Sequence, residues 1–312
     1  MISLDIYTTL KKPSASNFAI QKTAIASWRR VFPCANIYIY GHKSGMSSIT
    51  KKFRIQWLKP KTRLQKKDKI SDIFKSIHSK NKNNLVLYIN SDIILDQNAE
   101  KTVNFLSNRA GPWVGSGRRI CLPEWQGREI VSAHRLRNRL KKLMPFARWG
   151  ESYSMDLFIF REISFRGMPE FFCGHCGWDN WIIYDSRMKD IQVIDLSNSI
   201  NIFHFDHFNC KDSNGQKSYV RNAKYEALNL KKIQSHDRLF HLGHATHYLQ
   251  NGTIKRRAGI SQKTRLLQTL SQKSKILSLV FLLFRKIFFP VWKKIIQAVV
   301  EEENWSKKIC NY

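Results

Sequence analysis

Three short stretches of this chain combine residue types that can do chemistry together. The first is Asn90-Ser91-Asp92, directly after the apolar run Leu85 to Ile89. A carboxylate at the end of a buried strand can hold a hard divalent cation, Mn2+ or Mg2+, and that cation prefers oxygen ligands such as those of a diphosphate. Asn90 and Asp92 are therefore candidate contacts to a phosphorylated ligand, although an Asp that merely caps a turn has the same signature. The second is Gly177-Trp178-Asp179-Asn180-Trp181. Gly177 permits a tight turn, and Asp179 then lies near a helix N-terminus, where the dipole favours a carboxylate. That suits a general base that stays ionised and takes the proton from an acceptor hydroxyl as its oxygen attacks an anomeric carbon. Trp178, Asn180 and Trp181 are candidate acceptor contacts, the two tryptophans offering flat faces to a sugar ring. An ordinary cap with core tryptophans is the plainer alternative. The third is His204-Phe205-Asp206-His207, where His204 at a strand end would complete a metal shell begun by Asp92.

Two further clusters compete for attention. Cys173-Gly174-His175-Cys176 carries the C-G-H-C sequence of disulfide isomerases, in which the spacing lowers a thiol pKa. Its context is wrong: no Trp precedes Cys173, and the motif lies mid-chain. A zinc ion shared by these cysteines with His204 and His207 would need all four to converge. His241, His244 and His247 recur every third residue and are read as structural.

The elements that must position these groups follow from periodicity. Ile2 to Thr8 alternates as a first strand, Phe18 to Val31 has helical spacing, and Asn36 to Tyr40 and Phe53 to Leu58 are strands. Ser71 to Ser79 is a short helix, and Leu85 to Ile89 is apolar enough for a central strand covered on both faces. This is the α/β pattern of a parallel nucleotide-binding sheet, whose ligand lies beyond the carboxyl ends of the strands. Trp113 to Gly117 is a further strand, with Arg118 and Arg119 just after it to contact phosphate or acceptor. The basic stretch Pro123 to Gly150 is an inserted helix or loop, Asp156 to Phe160 a strand and Trp178 to Met188 a helix. Gln192 to Ile194 and Ile200 to His204 are two more strands, and Tyr219 to Leu249 is helical, then mixed.

The chain has 312 residues, 53 of them Lys or Arg against 23 Asp or Glu, for a formal charge of +30. Such a surface attracts nucleic acid, anionic lipid or phosphorylated substrates, but an A/T-rich genome spells the same lysines, so charge alone selects no function. Basic residues are spread along the chain and no finger, helix-turn-helix or RNA-binding signature occurs, so a nucleic-acid-binding protein is the alternative reading and no nucleic acid is expected. Six scattered cysteines and a start without a basic, apolar leader point to a reducing cytoplasm. The tail from Ser274 to Val300 mixes Leu, Phe and Trp with Lys and Arg around Pro290. It is too interrupted to span a bilayer and suits a helix lying in an anionic membrane interface on the inner face; packing on the domain or a second subunit is the alternative.

The segment from Tyr153 to Asn209 resembles a family of largely uncharacterised glycosyltransferase-like proteins of bacteria and algae. Their pattern reads roughly D-x-F-x-F, M-P-x-F, G-W-D-N-W-x-I-Y, V-I-D and H-x-x-H. All five occur here in order: Asp156, Phe158 and Phe160; Met168, Pro169 and Phe171; Gly177 to Tyr184; Val193 to Asp195; His204 and His207. Tyr88-Ile89-Asn90-Ser91-Asp92-Ile93 looks like the family's shortened D-x-D element, with Asp92 as its sole carboxylate, and His175 stands where the family has a basic residue. The resemblance covers about residues 1 to 250. It implies an α/β, GT-A-like (Rossmann-like) fold with a mixed, mainly parallel central sheet flanked by helices; the composition of the tail adds a basic amphipathic helical appendage over 251–312. The resemblance also implies a nucleotide-sugar donor. The residues themselves add the rest of the expectation: a metal-assisted transfer from Asp92 and His204, an inverting outcome from a base-assisted single displacement at Asp179, and a glycan or lipid-linked acceptor, as in polysaccharide biosynthesis, from the basic, membrane-apposed character of the chain.

Overall fold

The computed structural model describes residues 3–10, 15–40, 53–58, 69–80, 84–125, 127–206, 223–287 and 289–305. Its strands are β1 (Leu4–Thr9), β2 (Asn36–Tyr40), β3 (Ile55–Leu58), β4 (Leu85–Ile89), β5 (Ile93–Leu95), β6 (Trp113–Leu122), β7 (Arg148–Trp149), β8 (Met155–Arg161), β9 (Gln192–Asp195), β10 (Ile202–Phe205), β11 (His247–Gln250) and β12 (Thr253–Arg256). The α-helices are α1 (Ala15–Val31), α2 (Ile70–Lys80), α3 (Gln97–Ser107), α4 (Ala133–Leu143), α5 (Trp178–Met188), α6 (Ala223–Ile233), α7 (Gly259–Lys273), α8 (Lys275–Ile287) and α9 (Phe289–Trp305).

The sheet runs β12-β11-β9-β6-β8-β4-β1-β2-β3. It is mixed and mainly parallel, as expected: β3, β2, β1 and β4 are parallel, as are β6, β9 and β11. β8 runs antiparallel between β4 and β6. That inversion matters for the site, because it brings the first residues of β8 to the edge where β4 and β6 end. Every residue of β4, Leu-Val-Leu-Tyr-Ile, is buried, which is why its sequence shows no alternation. Apolar cores lie on both faces of the sheet.

Helix α1 fixes the turn that follows β4. Trp28, fully buried, donates its indole N–H to the carbonyl of Ile93 at 2.7 Å, and Ser27 Oγ accepts from the Leu95 amide at 3.2 Å. Truncating a buried tryptophan costs about 3–5 kcal/mol, and here it would also release β5, the strand that Asp92 leads into.

Several sequence-based boundaries need correction. β6 continues to Leu122, so Arg118 and Arg119 lie inside it, beyond an irregularity between Ser116 and Arg118. The second half of β6 finds its own partners, β10 and β7, which keeps it extended where local sequence suggests a stop. The expected division after residue 250 falls in the turn of the β11–β12 hairpin, where Asn251 and Gly252 both have positive φ (49° and 69°), the geometry of a tight hairpin turn. β12 is therefore the last strand of the sheet. The chain then continues as α7, α8 and α9; α8 contains no buried residue, although its Arg285 pairs with Asp237 at 3.7 Å, and α9 buries Trp292 and Val299. None of the described helices is long and apolar enough to cross a membrane.

Candidate active site

The carboxyl edge of the sheet brings Asp92 and His204 together, and register explains how. β10 pairs with β6 on one side and β5 on the other, setting His204 opposite both Cys121 and Ile93. Ile93 follows Asp92, so the imidazole arrives beside that carboxylate: His204 Nε2 lies 3.7 Å from Asp92 Oδ2, and both side chains are buried. Two ligands bonded to one ion at about 2.0–2.2 Å stand about 3–4 Å apart, so this spacing fits a shared cation. Among the described residues no group of three or more His, Cys, Asp or Glu could hold a metal. An ion here would rely on the ligand's oxygens and water for its remaining bonds, the usual habit of Mg2+ at phosphates. His207 lies outside the described residues.

A further carboxylate, to which sequence reasoning gave no role, completes the edge. Asp156 opens β8, and its Oδ1 accepts from Asn90 Nδ2 at 2.6 Å while its Oδ2 pairs with Arg119 at 3.2 Å. The backbones are joined as well, Asn90 N–H donating to the Asp156 carbonyl at 2.9 Å. Asn90 is thus committed to holding β4 against β8. For Arg119, burial pulls the pKa down, but Asp156 and then Cys121 outweigh it and the net shift is upward. Its charge is partly spent on Asp156. The signal for Asp156 was present in the sequence, as the first residue of D-x-F-x-F.

Asp179 sits in the first turn of α5, whose N-cap is Gly177 at φ 104°. The positive φ favours glycine at Gly177, and a Cβ there would stand 2.7 Å from Ile233 Cδ1, so that side chain would have to shift. Asp179 Oδ1 accepts from the amides of Gly177 (3.2 Å) and Asn180 (3.0 Å). The helix-dipole argument, which kept this group ionised at all ordinary pH, is overruled by burial. Part of Asp179 still reaches solvent, yet the protein packed around it raises its pKa to about 7, with nearby Asp156 adding to the shift and the backbone hydrogen bonds opposing it. A carboxyl that titrates near neutrality can exchange protons in either direction. Tyr88 of β4 is buried within electrostatic reach of Asp156 and Asp92, with its pKa held well above the usual phenol value by desolvation.

Three expected acceptor contacts are corrected. Trp178 is buried edge-on against Tyr88 and Phe158, with centroids at 5.1 and 5.6 Å, and Trp181 is buried against Phe165. Neither ring presents a face, because α5 packs on the sheet with its apolar residues Trp178, Trp181 and Ile182 inward. Asn180 is buried and gives its amide to the Phe240 carbonyl at 2.7 Å. These residues hold Asp179 in place and are not displayed to a ligand.

The competing clusters have structural explanations. Cys173 and Cys176 are thiols, and Cys176 Sγ donates to the Glu226 carboxylate at 3.4 Å. A reactive thiol needs a cationic neighbour to favour thiolate, and this one has an acid. His175 is buried beside the Tyr225 ring. His241 and His244 cap one another around a short 3-10 turn, Leu242–His244, and His244 stacks on Phe240 at 3.9 Å. Burial lowers the pKa of both.

No family model and no curated protein matches this chain. Solved structures give fold-level likenesses. A mannosyltransferase from Pyrobaculum calidifontis, solved with GDP-Man and Mn2+, is 10% identical with TM-score 0.39; the aligned region covers 76% of this chain but only 62% of that one. Glucosyl-3-phosphoglycerate synthase from Mycobacterium tuberculosis is 12% identical over 76% of this chain and 79% of its own, TM-score 0.42. TarS from S. aureus is 10% identical over 86% and 79%, TM-score 0.38. Likeness at this level carries no argument about chemistry, and the reading of the site rests on its own geometry.

Proposed function

We propose that this chain is a glycosyltransferase that moves a sugar from a nucleotide-sugar donor to the hydroxyl of a glycan or lipid-linked acceptor. The observation that carries the reading is the 3.7 Å approach of His204 to Asp92 at the carboxyl edge of the sheet, with Asp156 tied to Asn90 two residues before Asp92 and Asp179 within electrostatic reach of Asp156. Asp92 and His204 would hold Mn2+ or Mg2+. The bound cation supplies positive charge to the diphosphate as it leaves. Asp156 sets the positions of Asn90 and Arg119, and Arg119 lends its remaining donors to the anionic side of the site. Asp179, in its ionised form, takes the proton of the acceptor hydroxyl. The acceptor oxygen bonds to the anomeric carbon, the bond from that carbon to the diphosphate breaks, and a nucleoside diphosphate departs. A single displacement of this kind inverts the anomeric configuration.

The test is a panel of nucleotide sugars, each scored for thermal stabilisation with and without Mn2+ and for release of nucleoside diphosphate. Stabilisation by one donor, deepened by Mn2+ and lost in Asp92→Ala, supports the reading. A chain stabilised by no donor, or one that binds nucleic acid with a steep salt slope, would overturn it.

The chain also carries a surface suited to an anionic bilayer. In α8, Ile276, Leu279 and Ile287 are 73%, 62% and 68% exposed, and Val280, Leu282 and Leu283 are also uncovered. Lys275, Arg285 and Lys286 lie on the same helix of a chain that carries +30. Apolar side chains flanked by cations match a negatively charged lipid interface in both chemistry and sign, and contact there would bring the site to lipid-linked acceptors.

A further inference from the structure

A cavity of about 360 Å³ lies at the same sheet edge, walled by Arg118, Trp149, Tyr248, Arg256 and Arg257 and by the start of α7 at Ala258 and Ser261. Its size falls at the lower end of the ~300–1,000 Å³ of ordinary small-ligand sites. The lining holds three guanidiniums against one carboxylate, Asp195, leaving a surplus of two positive charges. Asp195 is already occupied: it accepts from the Ser197 amide at 2.9 Å and hydroxyl at 2.5 Å, and it pairs with Arg257.

Two other features point the same way. Arg118 is 97% buried within this wall, so its charge faces little water and acts over a low-dielectric path. The N-terminus of α7 has no side-chain cap, which leaves the positive end of a 15-residue helix at the cavity. Trp149 of the lining has a buried indole N–H with no hydrogen-bond partner among the described residues, as have several other buried donors of this chain. The field also reaches His241, whose pKa is pushed down to about 3 by burial and then by Arg265, Arg118 and Arg257.

We propose that this cavity binds an anionic sugar, its phosphate or carboxylate held by Arg118 and Arg256 and its ring lying between Trp149 and Tyr248. The role follows from position. Arg118 and Arg119 are consecutive in β6; the first lines this cavity and the second pairs with Asp156 of the candidate active site. Successive residues of a strand direct their side chains to opposite faces of the sheet, so a sugar anchored by Arg118 would meet the acids on the Arg119 side by extending over the carboxyl edge. The acceptor role rests on the glycosyltransferase reading, whereas the binding of the anion does not.

The test is a calorimetric titration of the full chain with glucose 1-phosphate, glucuronate and unmodified glucose, without added metal. Both anions should bind and glucose should not. Arg256→Gln, an exposed position, and Arg118→Gln should each weaken the anions at least tenfold, and Asp92→Asn should leave them unchanged. Glucose binding as tightly as the anions, or anion binding that survives Arg256→Gln, would overturn the assignment, as would its loss in Asp92→Asn, which would place the anion in the metal pair. If the anions bind as expected but no nucleotide sugar is turned over, the cavity stands and the transferase reading falls. If sugar transfer occurs while Arg256→Gln leaves anion affinity intact, the reverse holds.

Discussion

His204 Nε2 stands 3.7 Å from Asp92 Oδ2 because β10 pairs in register with β5, setting His204 across from the residue that follows Asp92. The two side chains come from distant parts of the chain, and the sheet gives them one place to meet. If they share a cation, they act as a unit. Asp92→Asn and His204→Ala should each weaken Mn2+-dependent binding of the donor or its nucleoside diphosphate by more than tenfold. The double variant should be little worse than the poorer single one, since effects within one site are not additive. Strictly additive losses in a calorimetric cycle would separate the pair.

Asp179 yields a pH prediction with a definite sign. The transfer rate should rise as its carboxyl ionises, through about pH 7, and level off above. Asp179→Asn should lose at least a hundredfold in rate while donor affinity stays within a factor of two or three. Stability runs the other way. The folded pKa of about 7 lies above the ordinary 3.8, so the folded state binds the extra proton between those values. The favourable contribution is complete below about pH 4 and is lost as pH rises through about 7. Asp179→Asn, which keeps an oxygen for the Gly177 and Asn180 amides, should therefore melt higher than the parent at pH 8, and the gain should vanish near pH 4. A gain that is flat with pH would assign it to something other than titration.

Asp156 provides a second handle on the same group. It raises the Asp179 pKa by charge and it neutralises Arg119. Asp156→Asn removes a negative neighbour and leaves Arg119 more fully positive, and both changes favour an ionised Asp179. The pH–rate profile should shift to lower pH by a measurable fraction of a unit or more. A shift to higher pH would contradict the arrangement.

The sequence made the central strands legible because their burial is nearly total. Asn36–Tyr40, Leu85–Ile89 and the helix Trp178–Met188 appear with the bounds their patterns gave. Asp92, Asp179 and His204 could be picked out because each ends or begins such an element. What escaped was set by pairing and packing. The extension of β6 through Arg118 and Arg119 depends on β10 and β7, which no local window contains. Asp156 gains its importance from the reversed direction of β8, and the two tryptophans of α5 face inward because a whole sheet face lies beneath them. The Asn251-Gly252 dipeptide marks a hairpin turn, whereas the amphipathic tail beyond it suggests a change of domain at the same point.

Gly177 links backbone geometry to catalysis. Gly177→Ala would place a Cβ 2.7 Å from Ile233 Cδ1 at a φ of 104°. Crowding and backbone strain of this kind cost about 1–3 kcal/mol each. The melting temperature should fall by several degrees, and the rate should fall further than stability alone predicts, because the amide of Gly177 also holds Asp179. The companion Ile233→Val should recover part of the stability by giving back space. A variant as stable and active as the parent would show that the turn tolerates a side chain and does not set the position of the acid.

The uncovered face of α8 makes the last prediction, which concerns location and not chemistry. Vesicles containing about one third anionic lipid should bind the full chain, and neutral vesicles should bind it weakly. Raising salt from about 0.1 M to 0.5 M should reduce but not abolish binding, since charge is screened over a shorter Debye length while apolar burial is not. Leu279→Asp with Leu283→Asp should remove vesicle binding and leave the melting temperature within a degree or two, because both side chains are already more than 40% exposed and pack little against the domain. Their removal should also leave metal-dependent binding of a soluble donor intact. A double variant that unfolds, or that changes the oligomeric state instead of lipid binding, would identify α8 as an interior or subunit contact and dismiss the bilayer as its partner.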